Sequence, residues 1–237
     1  FTLSNPKSPV AEAFRTLRTN IQFSSIDKPI NSLVITSTGP GEGKSTVSIN
    51  IAVSMAQAEK KVLLIDCDLR RPSLHRTFAF NHLTGLTNIL IEDIEYTDVL
   101  HEAEGIKGLH VIGSGPIPPN PAELLGSNKM KNFVQKMKNE YDMVILDAPP
   151  IGMVTDSAVL STIVDGTILV CAVGEVDVNA TKRAKELLDK VNANIIGVVL
   201  NKVPINQGGY YKYHYYHYYN YYYQDEGSRK KKRGKSK

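Results

Sequence analysis

The feature that most restricts the fold is a set of six short, nearly unbroken apolar runs spaced along the body of the chain. They are Leu33-Val-Ile-Thr36, Val62-Leu-Leu-Ile-Asp66, Leu109-His-Val-Ile112, Met143-Val-Ile-Leu-Asp147, Thr167-Ile-Leu-Val-Cys171 and Ile195-Ile-Gly-Val-Val-Leu200. A strand covered on one face alternates apolar with polar, whereas runs that are apolar throughout suit strands buried on both faces, hence a mainly parallel sheet. Between the runs lie helix candidates such as Ser45–Glu59, Asn128–Glu140 and Val178–Val191. This alternation within 237 residues predicts one α/β domain, doubly wound, with helices on both sides of the sheet. Ligands of such folds gather at the carboxyl ends of the strands.

The first run leads straight into Thr38-Gly-Pro-Gly-Glu-Gly-Lys-Ser45, with a predicted helix behind it. That strand–loop–helix setting is the one a P-loop (Walker A) requires. Glycines let the backbone wrap closely around phosphate oxygens, and the helix start adds its positive dipole end. The expected phosphate cradle comprises Thr38, Gly39, Gly41, Glu42, Gly43, Lys44, Ser45 and Thr46. Lys44 would neutralise the β- and γ-phosphates, the Ser45 hydroxyl would bind Mg²⁺, and Thr46 would reach the α-phosphate. Thr38 departs from the general pattern, which opens on glycine. Alone, the segment could also be a Gly-Pro turn beside an exposed lysine. Two carboxylate segments argue against that. Asp66 and Asp68 leave the end of one predicted strand, and Asp147, followed by Ala-Pro-Pro, ends another. An ionised carboxylate inside a protein needs a partner, and a metal with a phosphate-bound lysine supplies one.

Charge is unevenly distributed. From Gln207 onward there are eight Lys/Arg and two acids, so this segment carries +6 of a chain total of +4 and leaves −2 for the preceding 206 residues. A slightly acidic body argues against nucleic acid as a partner. No stretch approaches the roughly 20 apolar residues that cross a bilayer. Cys67 and Cys171 fit neither a metal motif nor a disulfide framework, which suits a reducing cytoplasm.

The domains expected are therefore 1–206, a P-loop body with an amino-terminal helix over about 8–24, and 207–237, a flexible, basic tail. Ser8 can cap that helix and Pro9 suits its first turn. On it Glu12, Arg15 and Arg18 form one stripe, while Val10, Phe14, Leu17 and Ile21 would pack on the domain. Without context the stripe is a solvated face with a weak ion pair. In the tail ten of the fourteen residues from Tyr210 to Tyr223 are tyrosine, a composition that cannot build a core.

Taken in order, Glu12-Ala-Phe-Arg15-Thr-Leu-Arg18, the Thr38–Thr46 loop, Leu64-Ile-Asp-Cys-Asp-Leu-Arg-Arg-Pro72, Pro118-Pro-Asn-Pro-Ala-Glu-Leu-Leu125, Ile145-Leu-Asp-Ala-Pro-Pro150 and the tyrosine tail closely resemble the bacterial tyrosine kinases of capsule and exopolysaccharide synthesis. The resemblance implies an ATP- and Mg²⁺-dependent autokinase. Lys44, Asp66 and Asp68 would be catalytic, with Asp66 as base or orienter for the tyrosine hydroxyl, and Ser45, Asp66 and Asp147 would lie at the metal. Asn201 would contact the base of the nucleotide. The acceptors would be Tyr210, Tyr211, Tyr213, Tyr215, Tyr216, Tyr218, Tyr219, Tyr221, Tyr222 and Tyr223. It further implies a homo-oligomeric ring joined through Glu12, Arg15 and Arg18, and a cognate tyrosine phosphatase. A transmembrane activator, the polysaccharide co-polymerase, would recruit the cytoplasmic chain to the inner face of the membrane. Two other readings share the P-loop: a partitioning or positioning ATPase of the deviant Walker type, and a nucleotide-gated, non-catalytic scaffold of a polysaccharide export complex. The deviant type has lysine as the second loop residue, where this chain has Gly39.

Overall fold

The computed structural model describes residues 7–25, 28–92 and 94–204. The tyrosine cluster, Tyr210 to Tyr223, lies outside the described residues. The compact body ends at Asn201, the last residue of the final strand.

The six apolar runs become strands β1 (Ser32–Ser37), β2 (Val62–Asp66), β4 (Leu109–Ile112), β5 (Met143–Asp147), β6 (Gly166–Ala172) and β7 (Ile195–Asn201). They pair in parallel in one sheet, ordered β3-β4-β2-β5-β1-β6-β7. The added member, β3 (Leu100–Glu102), runs antiparallel to β4 at one edge. Three half-polar residues carry no period of their own, so this strand exists only by pairing with its neighbour.

Alternate residues of the central strands feed two cores. Leu33, Ile35, Leu64 and Ile145 face α1 (Pro9–Gln22) and α2 (Lys44–Ala56). Val34, Leu63, Ile65 and Leu146 face the opposite layer, which contains α4 (Leu86–Glu92), α5 (Pro121–Leu125) and α6 (Asn128–Glu140). Each of these eight strand side chains is fully buried, a state worth roughly 1.5–3 kcal/mol apiece. Two further helices, α7 (Asp156–Ser161) and α8 (Val178–Lys190), cover β6 through a smaller cluster around Leu169, Ala184 and Leu188.

The last apolar run departs from its expectation. β7 is an edge strand, and Val198 and Leu200 are 54% and 56% exposed. Continuous apolarity marks a strand with potential cover on both faces, but it does not report that the sheet ends there. The amino-terminal helix starts as expected, with the Ser8 Oγ accepting the Ala11 N–H at 3.1 Å and Pro9 in the first turn. Phe14, Leu17 and Ile21 pack on the core, but Val10 is 36% exposed and its place is taken by buried Ala11. Among the described residues no helix is long and apolar enough to cross a membrane.

Candidate active site

The chain between β1 and α2 holds its shape through two glycines with positive φ, Gly41 at +78° and Gly43 at +90°. That region costs other residues a clash between Cβ and backbone. A Cβ on Gly43 would also stand 2.2 Å from the Asn201 side-chain nitrogen. Asn201 ends β7 and donates from Nδ2 to the Glu42 carbonyl at 2.8 Å. The Glu42 carboxylate is buried: Oε1 accepts the Gly39 N–H and Oε2 accepts the Ala172 N–H at 3.1 Å. Both side chains, expected against the nucleotide, are placed here on the loop's own backbone and on β6. Thr38 is tolerated where the motif has glycine because its hydroxyl lies against Cys171 Sγ, 4.0 Å away in β6. Its carbonyl accepts the Gly152 N–H at 3.2 Å, which ties the loop to the turn after β5.

Lys44 and the three expected carboxylates are brought together. Lys44 Nζ is 2.9 Å from Asp68 Oδ2 and 3.8 Å from Asp147 Oδ1. Burial alone would lower the lysine pKa, but Asp147 and Asp68, with Asp66 behind them, raise it above its ordinary value. Asp147 is fully buried, and Ser48 Oγ sits 3.1 Å from its Oδ1. Burial pushes its carboxyl upward against Lys44, Ser45 and Ser48. Among the described residues its second oxygen, Oδ2, has no hydrogen-bond partner. A buried carboxylate oxygen left bare is costly, and the residue that carries it lies beside Lys44 of the P-loop. Among the described residues no three or more His, Cys, Asp or Glu side chains form a metal cage. This donor set fits an ion such as Mg²⁺, which needs one or two protein oxygens and takes the rest from phosphate and water.

Asp66 is the last residue of β2 and holds the turn that follows. One oxygen accepts the Ser73 and Leu74 N–H groups at 2.9 and 3.0 Å, at the start of the short helix α3 (Leu74–Phe78), and the other accepts the Asp68 N–H at 3.2 Å. Burial and then the negative field of Asp147 push this carboxyl up to about 7, with the Leu74 and Ser73 N–H groups and Lys44 pulling it back. Ser73 Oγ lies 3.3 Å from Ser45 Oγ, so the turn touches the P-loop directly. Cys67, between the acids, is buried, and its thiol is pushed well up by burial and by the three carboxylates, which makes it inert.

Sequence reasoning missed the ion pair that braces this site. Arg70 donates from Nε and Nη2 to the two oxygens of Asp156 at 2.9 and 3.1 Å, and the Asp156 side chain is fully buried. The pair fastens the turn after β2 to the start of α7. On α1, Arg15 and Glu12 pair at 2.6 Å, and Arg18 donates to the Ser54 carbonyl of α2 at 2.7 Å. All three members of the stripe thus have partners inside the subunit, and Arg18 alone of them reaches across to α2.

Comparisons with known proteins agree on what this arrangement belongs to. A family model described as AAA domain matches residues 31–195. Over 211 residues the chain is 43% identical to tyrosine-protein kinase YwqD of Bacillus subtilis, covering 89% of each chain. It is 41% identical to a putative tyrosine-protein kinase CapB of Staphylococcus aureus, covering 88% of this chain and 91% of that one. The solved kinase domain of Escherichia coli tyrosine kinase ETK superposes with a TM-score of 0.83 at 35% identity, over 89% of this chain and 82% of that one.

Proposed function

The chain belongs to the bacterial tyrosine-protein kinases, P-loop enzymes of the AAA-domain type, and on that premise we propose that it phosphorylates its own carboxyl-terminal tyrosines. The donor is Mg²⁺-ATP, and transfer runs between subunits. The acceptors are Tyr210 to Tyr223 of a second copy.

The observation that carries this reading is Asp66, a buried carboxylate held by three backbone N–H groups in the turn that touches the P-loop at Ser45. A tyrosine hydroxyl, with a pKa near 10, needs a positioned carboxylate to take its proton at neutral pH. The tyrosine oxygen attacks the γ-phosphorus, the bond to the β–γ bridging oxygen breaks, ADP departs and the proton goes to Asp66. Backbone N–H groups of the loop and Lys44 neutralise the β- and γ-phosphates. Glu42 and Asn201 hold those N–H groups in place through the contacts described above. Asn201 also stands at the strand end where the base would lie, and Thr46 reaches the α-phosphate. Ser45 and Asp147 would hold Mg²⁺, with Asp66 as a further ligand and Asp68 in support; when bound, the ion would supply charge neutralisation for the transfer.

Each phosphate adds about −1.5 to −2, so a few of them reverse the +6 of the tail. This makes the tail an electrostatic switch for a ring assembled through Glu12, Arg15 and Arg18. In the proposed setting a transmembrane activator recruits the chain to the inner face of the membrane. A cognate phosphatase resets it, and the output is control of capsular or exopolysaccharide synthesis.

The test supplies γ-labelled ATP with Mg²⁺ to the purified protein and to Lys44→Met. Label on tyrosine in the first and none in the second supports transfer. Label released only as free phosphate contradicts it.

A further inference from the structure

Two apolar side chains stand in water at the carboxyl edge of the sheet, on loops that flank Asp66 and Asp68. β2, which ends on Asp66, lies between β4 and β5. The loop leaving β4 presents Ile117, 65% exposed, and the loop leaving β5 presents Met153, 69% exposed.

A single exposed apolar residue is ordinary, but these two are held firmly in place. Ile117 sits between Pro116 and Pro118, whose rings lock φ and restrict the residue before them. The start of its loop is pinned by the Leu86 N–H on the Gly113 carbonyl at 2.8 Å and the Thr87 N–H on the Ser114 carbonyl at 2.9 Å. The turn carrying Met153 is bonded to the strand that enters the P-loop, Ile151 N–H to Ser37 O at 2.9 Å and Gly152 N–H to Thr38 O at 3.2 Å. The helices that these loops open, α5 and α7, pack so closely that a Cβ on Gly126 would lie 3.2 Å from Val159 Cγ1. The Arg70–Asp156 pair draws the turn containing Asp68 to the same place. Short, braced connectors therefore hold both apolar groups on the loops to either side of the turn that follows Asp66 and carries Asp68.

We infer that Ile117 and Met153 form the subsite that grips the ring of the acceptor tyrosine, an inference that rests on the kinase reading above. The occupant is a tyrosine from residues 210–223 of a second copy. That segment has ten tyrosines and no acid, its other members being Lys212, His214, His217 and Asn220. When nearly every residue is a possible acceptor, the property shared by the targets is the phenol itself, an apolar body with a polar tip. Apolar side chains on the two loops beside a pair of carboxylates match both parts. Methionine adapts its shape and makes favourable sulfur–aromatic contacts, while isoleucine supplies a stiff wall.

The test uses the full-length protein as kinase and a synthetic peptide of residues 207–224 as acceptor. In the double variant Ile117→Ser/Met153→Ser the KM for the peptide should rise about tenfold, the loss expected when two apolar contacts to one ring are removed. The kcat at saturating peptide, the affinity for a fluorescent ATP analogue and the melting temperature should stay at wild-type levels. Ile117→Val/Met153→Leu should restore the KM. An unchanged KM overturns the inference, as does an unchanged KM with a shifted oligomeric state by light scattering, which would make the rim an assembly face. A KM that rises together with lost ATP affinity and a lower melting temperature also overturns it. Wild-type protein that labels no tyrosine removes the kinase reading itself, and the subsite with it.

Discussion

The Lys44 ammonium lies 2.9 Å from the Asp68 carboxylate, with only 13% and 6% of the two side chains exposed. A triphosphate entering the loop competes with Asp68 for that cation, and its own charge is repelled by the same carboxylate. Asp68→Asn should therefore tighten binding of a fluorescent ATP analogue in EDTA by about five- to tenfold, near 1 kcal/mol of relieved repulsion. With Mg²⁺ present the same variant should transfer phosphate more slowly. Weaker binding in EDTA would show that Asp68 positions Lys44 rather than sequestering it.

Gly43 and Gly41 look alike in sequence and differ in the fold. Gly43→Ala places a methyl 2.2 Å from the Asn201 amide at φ +90°, whereas a methyl on Gly41 meets nothing within 4 Å among the described residues. Gly41→Ala should cost about 1–2 kcal/mol of local strain. Gly43→Ala adds displacement of Asn201 from the Glu42 carbonyl and should weaken nucleotide binding at least about tenfold more than Gly41→Ala does. Parallel titrations of the two variants check the difference, and equal losses would contradict it.

Arg70→Lys is not a conservative change. The guanidinium meets both oxygens of a fully buried carboxylate, and an ammonium cannot reproduce that fork. Because Arg70 is itself 41% exposed, solvent screens part of the pair, and the expected loss is about 1–2 kcal/mol. Denaturant unfolding measures it. Transfer activity should fall further than stability, since the pair orients the turn that carries Asp66 and Asp68.

Asp165 gives the fold a pH dependence below neutrality. Burial pushes its carboxyl up, but Lys138 at 2.6 Å, the Asn31 N–H at 3.0 Å and the Ser32 hydroxyl outweigh that and hold it below the ordinary carboxylate value. A depressed carboxylate contributes stability that is complete above its unfolded pKa of about 4 and disappears as pH falls through the folded value. Asp165→Asn should therefore cost about 1–2 kcal/mol at pH 7, with the gap to wild type closing below about pH 4. A gap constant from pH 7 to pH 3 would show that the residue acts through packing alone.

The local features of the molecule are legible in its sequence. Continuous apolar runs gave β1, β2, β5 and β6, because buried parallel strands need side chains of one kind on both faces. The P-loop showed through its glycines, and Asp66, Asp68 and Asp147 through their place at strand ends. What stayed hidden is set by pairing across long separations. Asn201 meets Glu42 across 159 residues, and Arg70 meets Asp156 across 86. Neither pair has a spacing that a periodicity could reveal. The exposure of β7 was hidden for the same reason, since position in the sheet depends on every other strand. Glu42 was legible as a loop member but not as a brace, because its carboxylate finds its second partner, Ala172, on β6.

The most direct test of the central claim mixes two inactive halves. Lys44→Met, which keeps its tyrosines, is incubated with Mg²⁺-ATP and with a chain ending at Gln207, which keeps its site and lacks the tail. Phosphotyrosine is then mapped by mass spectrometry. Transfer between subunits puts phosphate on Lys44→Met within Tyr210 to Tyr223. A mixture that consumes ATP and leaves those tyrosines unmodified would contradict it.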